Sequence, residues 1–171
     1  MTASTRAACS AHVPRACRAR GGHGARRLDA YEELLRDRQT FFPPITGRSD
    51  SPDYQLWHGE AIGTIATAEA AVMNVVQQWH DTAGREGAFT GDADLRLAVI
   101  CGQVVSMCWR AVEHRLFRTV GTGSLRNGGR IERIWRDLSM VHTHAGPVFL
   151  SSAASRELSK ARMGVDAAPI V

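Results

Sequence analysis

No run of apolar residues in this 171-residue chain approaches the roughly 18 needed to cross a bilayer. No stretch alternates apolar and polar residues with the period of two that a half-buried strand requires. A spanning segment and a sheet are therefore not expected. Cysteine is scarce, and Cys9, Cys17, Cys101 and Cys108 include no CxxC pair, so the thiols read as reduced and a zinc site is not expected. Cys101 and Cys108, seven apart on an expected helix, read as small core residues. Acids are missing altogether before Asp29, where six arginines stand: Arg6, Arg15, Arg18, Arg20, Arg26 and Arg27. Setting those six aside leaves 15 basic residues against 17 acidic ones, so the net charge of +4 comes from the residues ahead of Asp29 and the chain from there on is slightly acidic. A basic, nucleic-acid-binding face is not expected there, and the arm carries no interleaved aromatics to stack on bases, which leaves nonspecific contact with polyanions as its one option of that kind. No glutamate has a histidine three residues further on, the repeat that a di-iron bundle needs. His142 and His144, as an HxH pair, point to different sides of a helix, and no metal is expected.

What the chain does have is helical periodicity in one stretch after another. Residues 1–24 are rich in Ala, Arg, Ser and Gly without any apolar period, and are expected to be a disordered basic arm. They lack the roughly 7 to 15 residue apolar centre of a secretory signal; a mitochondrial transit peptide and an arbitrary extension share their composition. From Ala25 the residues Leu28, Tyr31, Leu34 and Leu35 mark an apolar face, in a helix that should end near Arg38 ahead of Phe41, Phe42, Pro43 and Pro44. A long second helix follows over about Tyr54 to Ala83, some 45 Å at 1.5 Å per residue, with the stripe Ala61, Ile65, Ala68, Val72, Val75 and Trp79. After a short polar turn from Gly84 to Gly91, Asp92 is a plausible cap for a third helix with Leu95, Ala98, Gly102, Val105, Trp109, Val112 and Leu116 on one side. Short connections imply antiparallel neighbours. A fourth helix runs from Arg130 toward Lys160 with a kink expected at Pro147, whose ring collides with the Thr143 carbonyl. The expected fold is all-α, an antiparallel four-helix bundle over residues 25–165, with 166–171 as a tail.

Candidate chemistry concentrates in Arg130 to Gly146, RIERIWRDLSMVHTHAG. Ile131, Ile134, Leu138, Val141 and Ala145 are spaced as a buried stripe. Arg133, Arg136 and Asp137 fall at i, i+3 and i+4, so Arg133 and Asp137 can pair one turn apart. His144 lies two turns beyond Asp137 on about the same side. From spacing alone, an amphipathic core helix with surface arginines and satisfied histidines accounts for the stretch. Just upstream, GTGSLRNGG holds Gly121 and Gly123 with Arg126 and Arg130 beside it, which suits either a helix-connecting turn or a contact to phosphate. Because it follows a helix rather than a strand, it is neither a Walker loop nor a dinucleotide fingerprint. The tryptophans Trp57, Trp79, Trp109 and Trp135 read as buried anchors, or, if one is exposed, as a surface for a flat ring such as a flavin.

Over about Gly24 to Gly164 the chain resembles the C-terminal helical domain of the acyl-CoA dehydrogenase fold, in its branch of flavin-dependent hydroxylases and monooxygenases. The resemblance rests on GARRLDAYEELLR, on the long second helix, and above all on GTGSLRNGGRIERIWRDLSMVHTHAG, similar to the family's glycine turn, Arg-Asp pair and downstream histidine. Dehydrogenases of the medium-chain type carry Glu-Gly-Thr after the Arg-Asp pair, where this sequence has Ala145, Gly146 and Pro147; a methyl group cannot take the alpha proton, so that route is closed. His144 matches the histidine that hydroxylase relatives place near flavin and aromatic substrate, as a base or hydrogen-bond donor.

The resemblance implies reduced FAD or FMN as cofactor, with Arg126, Arg130, Gly121 and Gly123 as its contacts. It also implies hydroxylation of a small aromatic or other organic molecule with O2, a homo-oligomer (a tetramer in the family), a flavin reductase as a further candidate partner, and a cytoplasmic location without nucleic acid or membrane. The family's N-terminal helical and middle β domains have no counterpart in these residues, which resemble the last third or more of an enzyme. The competing reading is a non-enzymatic helical oligomerisation module, or a dehydrogenase-like protein without the catalytic glutamate.

Overall fold

A computed structural model describes residues 23–84, 91–124, 126 and 128–165. The basic arm up to residue 22, the turn over 85–90 and the tail 166–171 lie outside the described residues. The all-α expectation holds: the α-helices are α1 (His23–Asp37), α2 (Pro52–Gly84), α3 (Gly91–Ala111), α4 (Arg130–Thr143) and α5 (Ala145–Met163). Among the described residues there is no strand, only an isolated bridge between Gln39 and Gly47. The described chain packs as two compact units, 23–67 with 107–140 and 68–106 with 141–165.

The core of the first unit joins Tyr31, Leu34 and Leu35 of α1 to Ala61 of α2, Val112, Leu116 and Val120, and Leu138 of α4. The three-and-four spacing of the α1 residues puts them on one stripe, which is why this segment is a helix with one buried face. The Tyr31 hydroxyl shares a 2.5 Å hydrogen bond with Thr119 Oγ1. Burial pushes the phenol above its ordinary pKa, and that hydrogen bond opposes the shift. After α1 the chain forms a loop closed at its base, where Arg48 N–H donates to the Arg38 carbonyl at 2.8 Å and Thr40 N–H to the Thr46 carbonyl at 2.9 Å. Its tip presents Phe41 and Phe42 to solvent, 82% and 77% exposed.

In the second unit the buried residues are Ala68, Val72 and Val75 of α2, Leu97 and Val104 of α3, and Ala153, Ala154 and Glu157 of α5. A Cβ on Gly102 would collide with the Ser151 side chain, so glycine permits this close approach of α3 and α5. Asp92, expected as a cap, lies in the first turn of α3, and its carboxylate accepts from Arg162 at 3.3 Å.

The α2 stripe is buried from Ala61 through Val75, as its period requires, but Trp79 at its end is 50% exposed. On α3 the stripe is set differently. Leu97, Val104, Ala111, Val112 and Leu116 are buried, so only Val112 and Leu116 of the expected face are fully covered. The reason is local: a π-turn at Val112–Leu116 interrupts the α winding and is followed by a 3-10 turn at Phe117–Thr119, so residues counted at 3.6 per turn lose phase there. Among the described residues the stretch Gly91–Thr119 is long and apolar enough on average to cross a membrane, by length and composition alone, because scattered polar residues interrupt its apolar run without lowering the average enough.

Candidate functional site

The glycine turn is built on Arg48, a residue that the sequence reading missed. This guanidinium is buried at 8% exposure, donates to the carbonyls of Gln39 (3.1 Å), Thr119 (3.3 Å) and Val120 (3.0 Å), and lies 4.9 Å over the Tyr54 ring. It therefore fixes the residues that lead into Gly121. Gly121 has φ +81°, in the left-handed region that costs glycine least, and redirects the chain into a short 3-10 turn, Thr122–Ser124. Nothing in the sequence marked Arg48 among the other basic residues, because its acceptors are backbone carbonyls, two of them more than 70 positions away.

Gly121, Gly123 and Arg126 are exposed, and the Arg126 guanidinium makes no hydrogen bond or ion pair among the described residues. The turn uses several of its amides internally: Ser124 N–H donates to Gly121 O, Gly129 N–H to Arg126 O, and Gly128 N–H to the Glu132 carboxylate. An anion would thus meet mainly side chains here. Arg130 reaches across to Glu33 of α1 at 3.2 Å, with both partners about half exposed. Such a pair is worth little, about 0 to 1 kcal/mol, and can open to a stronger anionic partner.

The expected pairing within Arg133, Arg136 and Asp137 is not the one that forms. Arg136 binds Glu132, one turn earlier, at 3.0 Å, and Arg133 points back to the Gly128 carbonyl at 3.5 Å. Glu132 precedes Arg136 by four residues, the favoured order for a helical ion pair, and takes the cation that Asp137 was expected to hold. Asp137 is exposed and has no ion-pair partner among the described residues. Asp137→Ala should therefore change the free energy of unfolding by under about 1 kcal/mol in a urea titration.

His144 sits between two helices rather than inside one. The expected single helix with a kink at Pro147 is instead broken at His144, whose backbone is extended (φ −62°, ψ 128°) and whose side chain caps α5. Pro147, in the first turn of α5, has no N–H to donate to Thr143, so α4 ends and α5 starts afresh just before it. The His144 Nδ1 accepts from Gly146 N–H at 3.2 Å. An accepting Nδ1 carries no proton, which places the proton of the neutral ring on Nε2 as a donor. The ring is exposed. His144 belongs to the second unit, whereas Gly121, Gly123, Arg126, Arg130 and the Arg133 to Asp137 segment belong to the first.

Among the tryptophans, Trp135 is committed: its Nε1 donates to the Glu113 carboxylate and its ring stacks on Phe117 at 4.5 Å. Trp109 Nε1 donates to Ser139 Oγ at 3.2 Å, and Trp57 packs edge-on against Tyr54. Cys101 and Cys108 are each half-buried and not joined in a disulfide. Among the described residues no group of three His, Cys, Asp or Glu side chains is placed to hold a metal ion.

Residues 16–149 match the family described as acyl-CoA dehydrogenase, C-terminal domain. No curated protein matches the chain. Among solved structures, XiaF from Streptomyces sp., in complex with FADH2 and glycerol, is similar with a TM-score of 0.75 and 22% identity over 86% of this chain and 37% of its own. The 3-HSA hydroxylase from Rhodococcus sp. RHA1 gives a TM-score of 0.69 at 20% identity, and the HsaA monooxygenase from M. tuberculosis 0.67 at 18%. For each of these two the match spans 86% of this chain and 36% of the other. The chain thus spans little more than a third of the length of these structures, and the likeness at such identities is one of fold.

Proposed function

This chain belongs to the acyl-CoA dehydrogenase C-terminal domain family, and from that premise we propose that it is the C-terminal helical part of a flavin-dependent oxidoreductase of the hydroxylase type, acting on a small aromatic or other organic molecule. The observation that carries this reading is the pairing of an exposed His144, its Nε2 left as a donor, with Ala145 where a dehydrogenase would need its carboxylate. Chemistry that begins by removing an alpha proton has no base at that position. A neutral imidazole that donates from Nε2 can instead hold and orient a phenol oxygen or another oxygen acceptor.

The residues of the turn fit a flavin's anionic part. Arg126 is exposed without a partner among the described residues, Arg130 is about half exposed in its ion pair with Glu33, and Gly121 and Gly123 are exposed. Reduced FAD or FMN, when bound, supplies the electrons with which O2 is split between a hydroxylated product and water. Arg126 and Arg130 would neutralise phosphate charge, and Arg48 would keep the turn in register. A flavin reductase is the natural source of reduced flavin for such an enzyme, and the cytoplasm the location we assign to it.

Titration with FMN or FAD, followed by flavin fluorescence, tests the cofactor reading. Saturable binding is expected, weakened roughly tenfold or more by Arg126→Gln with Arg130→Gln, since two charge-assisted contacts are lost. A folded oligomer that leaves the fluorescence unchanged would favour the oligomerisation module.

Homo-oligomers are part of the same proposal. Phe41, Phe42 and Ile45 on the loop and, in the other unit, Val148 and Phe149 on α5 are large exposed apolar residues of the sort that association covers. Sedimentation should show a species larger than a monomer at micromolar concentration, and a stable monomer would count against it.

A further inference from the structure

We propose that Glu33 is a built-in competitor for the anion-binding place at the glycine turn: its carboxylate holds Arg130 in the free chain and yields that guanidinium when a phosphate group binds. The inference rests on the reading that this turn receives the phosphate of a flavin. Arg130 is the first residue of α4, and its Nη1 donates to both oxygens of the Glu33 carboxylate, at 3.2 and 3.3 Å, although Glu33 stands on α1, 97 positions earlier. A cation at the start of a helix faces the positive end of the helix dipole, so the place favours an anion beside the arginine. Glu33 supplies one from within the chain.

Two carboxylates, Glu33 and Glu132, occupy donors at this turn, and their surroundings decide which of them can leave. Glu132 accepts from Gly128 N–H at 3.3 Å and from Arg136 at 3.0 Å, with its side chain only 16% exposed. It is held twice and mostly shielded from water. Glu33 is 60% exposed and Arg130 49%, and an ion pair so open to solvent gains little from its attraction. Once released, the Glu33 carboxylate is taken up by water. Glu33 is therefore the displaceable group, and Glu132 is part of the frame of the turn.

Exchange at Arg130 favours phosphate over carboxylate. A phosphate monoester carries more charge than a carboxylate and presents oxygens that match the planar fork of a guanidinium. It can also engage Arg126, which stands exposed in the same turn without a partner among the described residues. The exchange asks for side-chain movement alone, because α1 stays seated in the core through Tyr31, Leu34 and Leu35. Glu33 thus sets a threshold. Weak monoanions leave the pair closed, and phosphate opens it.

Two titrations of the full chain at low salt test the exchange, one with FMN read by flavin fluorescence and one with inorganic pyrophosphate read by calorimetry. Glu33→Gln should tighten FMN binding about two- to fivefold, the size set by an exposed ion pair, and Glu33→Ala should do the same. In the Arg130→Gln background Glu33→Gln should change nothing, because the group competed for is gone. Both residues are about half exposed, so circular dichroism should show equal helix content in all variants. Saturable FMN binding that neither Glu33 variant tightens would overturn the proposal and leave the flavin reading intact. A gain that persists without Arg130 would overturn it too, as a general effect of charge. If FMN does not bind but pyrophosphate does, and more tightly to Glu33→Gln, the exchange stands and the flavin reading falls; equal pyrophosphate affinity in that case overturns the exchange. Absence of saturable binding of either probe to every variant overturns both.

Discussion

Replacing Arg48 by Met should lower the free energy of unfolding by about 3 kcal/mol, the largest effect expected for any single exposed or buried charge described above. The carbonyls of Gln39, Thr119 and Val120 stay where they are when the guanidinium goes, and each loses a charge-assisted donor at 3.0 to 3.3 Å. Methionine fills much of the volume and packs on Tyr54 but donates nothing. Two effects oppose each other, because removal of the buried cation also removes its desolvation cost. The stranded carbonyls should win, since the cation is stabilised by them and by the Tyr54 face rather than by a buried carboxylate. Arg48→Lys should recover only part of the loss, as one ammonium lacks the fork that reaches three acceptors. Urea denaturation followed by circular dichroism measures both variants. A loss for Arg48→Met below about 1 kcal/mol would mean that the Gly121 turn is held by other contacts.

The helices were legible because their apolar residues repeat at three and four, as with Leu28, Tyr31, Leu34 and Leu35, or Ala61 through Val75. Periodicity has no means of showing where a helix changes its winding. Hence the face of α3 was misplaced: the segment is apolar on several sides, and the π-turn moves the phase at Val112. The break at His144 was misplaced by three residues for a related reason. Pro147 was correctly read as incompatible with the Thr143 carbonyl, but the strain is relieved by ending α4 and letting His144 cap the next helix. In the candidate site, Gly121, Gly123, Arg126 and Arg130 were visible as a motif. Arg48 and Glu33 were not, since their partners lie far along the chain. Glu132 and Asp137 both lie within a turn of an arginine, and spacing alone does not decide between them; Glu132 stands four residues ahead of Arg136, the favoured order, and takes it.

His144 carries the second large prediction. Its cap on α5 satisfies one N–H, that of Gly146, so His144→Ala should cost roughly 1 kcal/mol of stability and leave the fold in place. Its proposed role in hydroxylation rests on Nε2, and loss of a positioned proton donor or base usually lowers a rate by about a hundredfold or more. His144→Asn separates the two roles: its carbonyl oxygen can still cap α5, while its short amide does not reach where Nε2 does. Capping and catalysis thus predict different orders for the Ala and Asn variants. Stability should follow His and Asn ahead of Ala, whereas turnover should fall in both variants alike.

The central claim is that this helical part serves a hydroxylase through His144, and turnover in a chimera tests it most directly. In such a chimera the chain takes the place of the corresponding helical region of the 3-HSA hydroxylase, and reduced flavin, O2 and that enzyme's substrate are supplied. Hydroxylated product and hydrogen peroxide are then quantified side by side. The account predicts product from the chimera, and in His144→Ala and His144→Asn a fall of about a hundredfold with flavin still bound and electrons diverted to peroxide. Product formed at an undiminished rate by the two variants would contradict it and leave His144 as a helix cap alone.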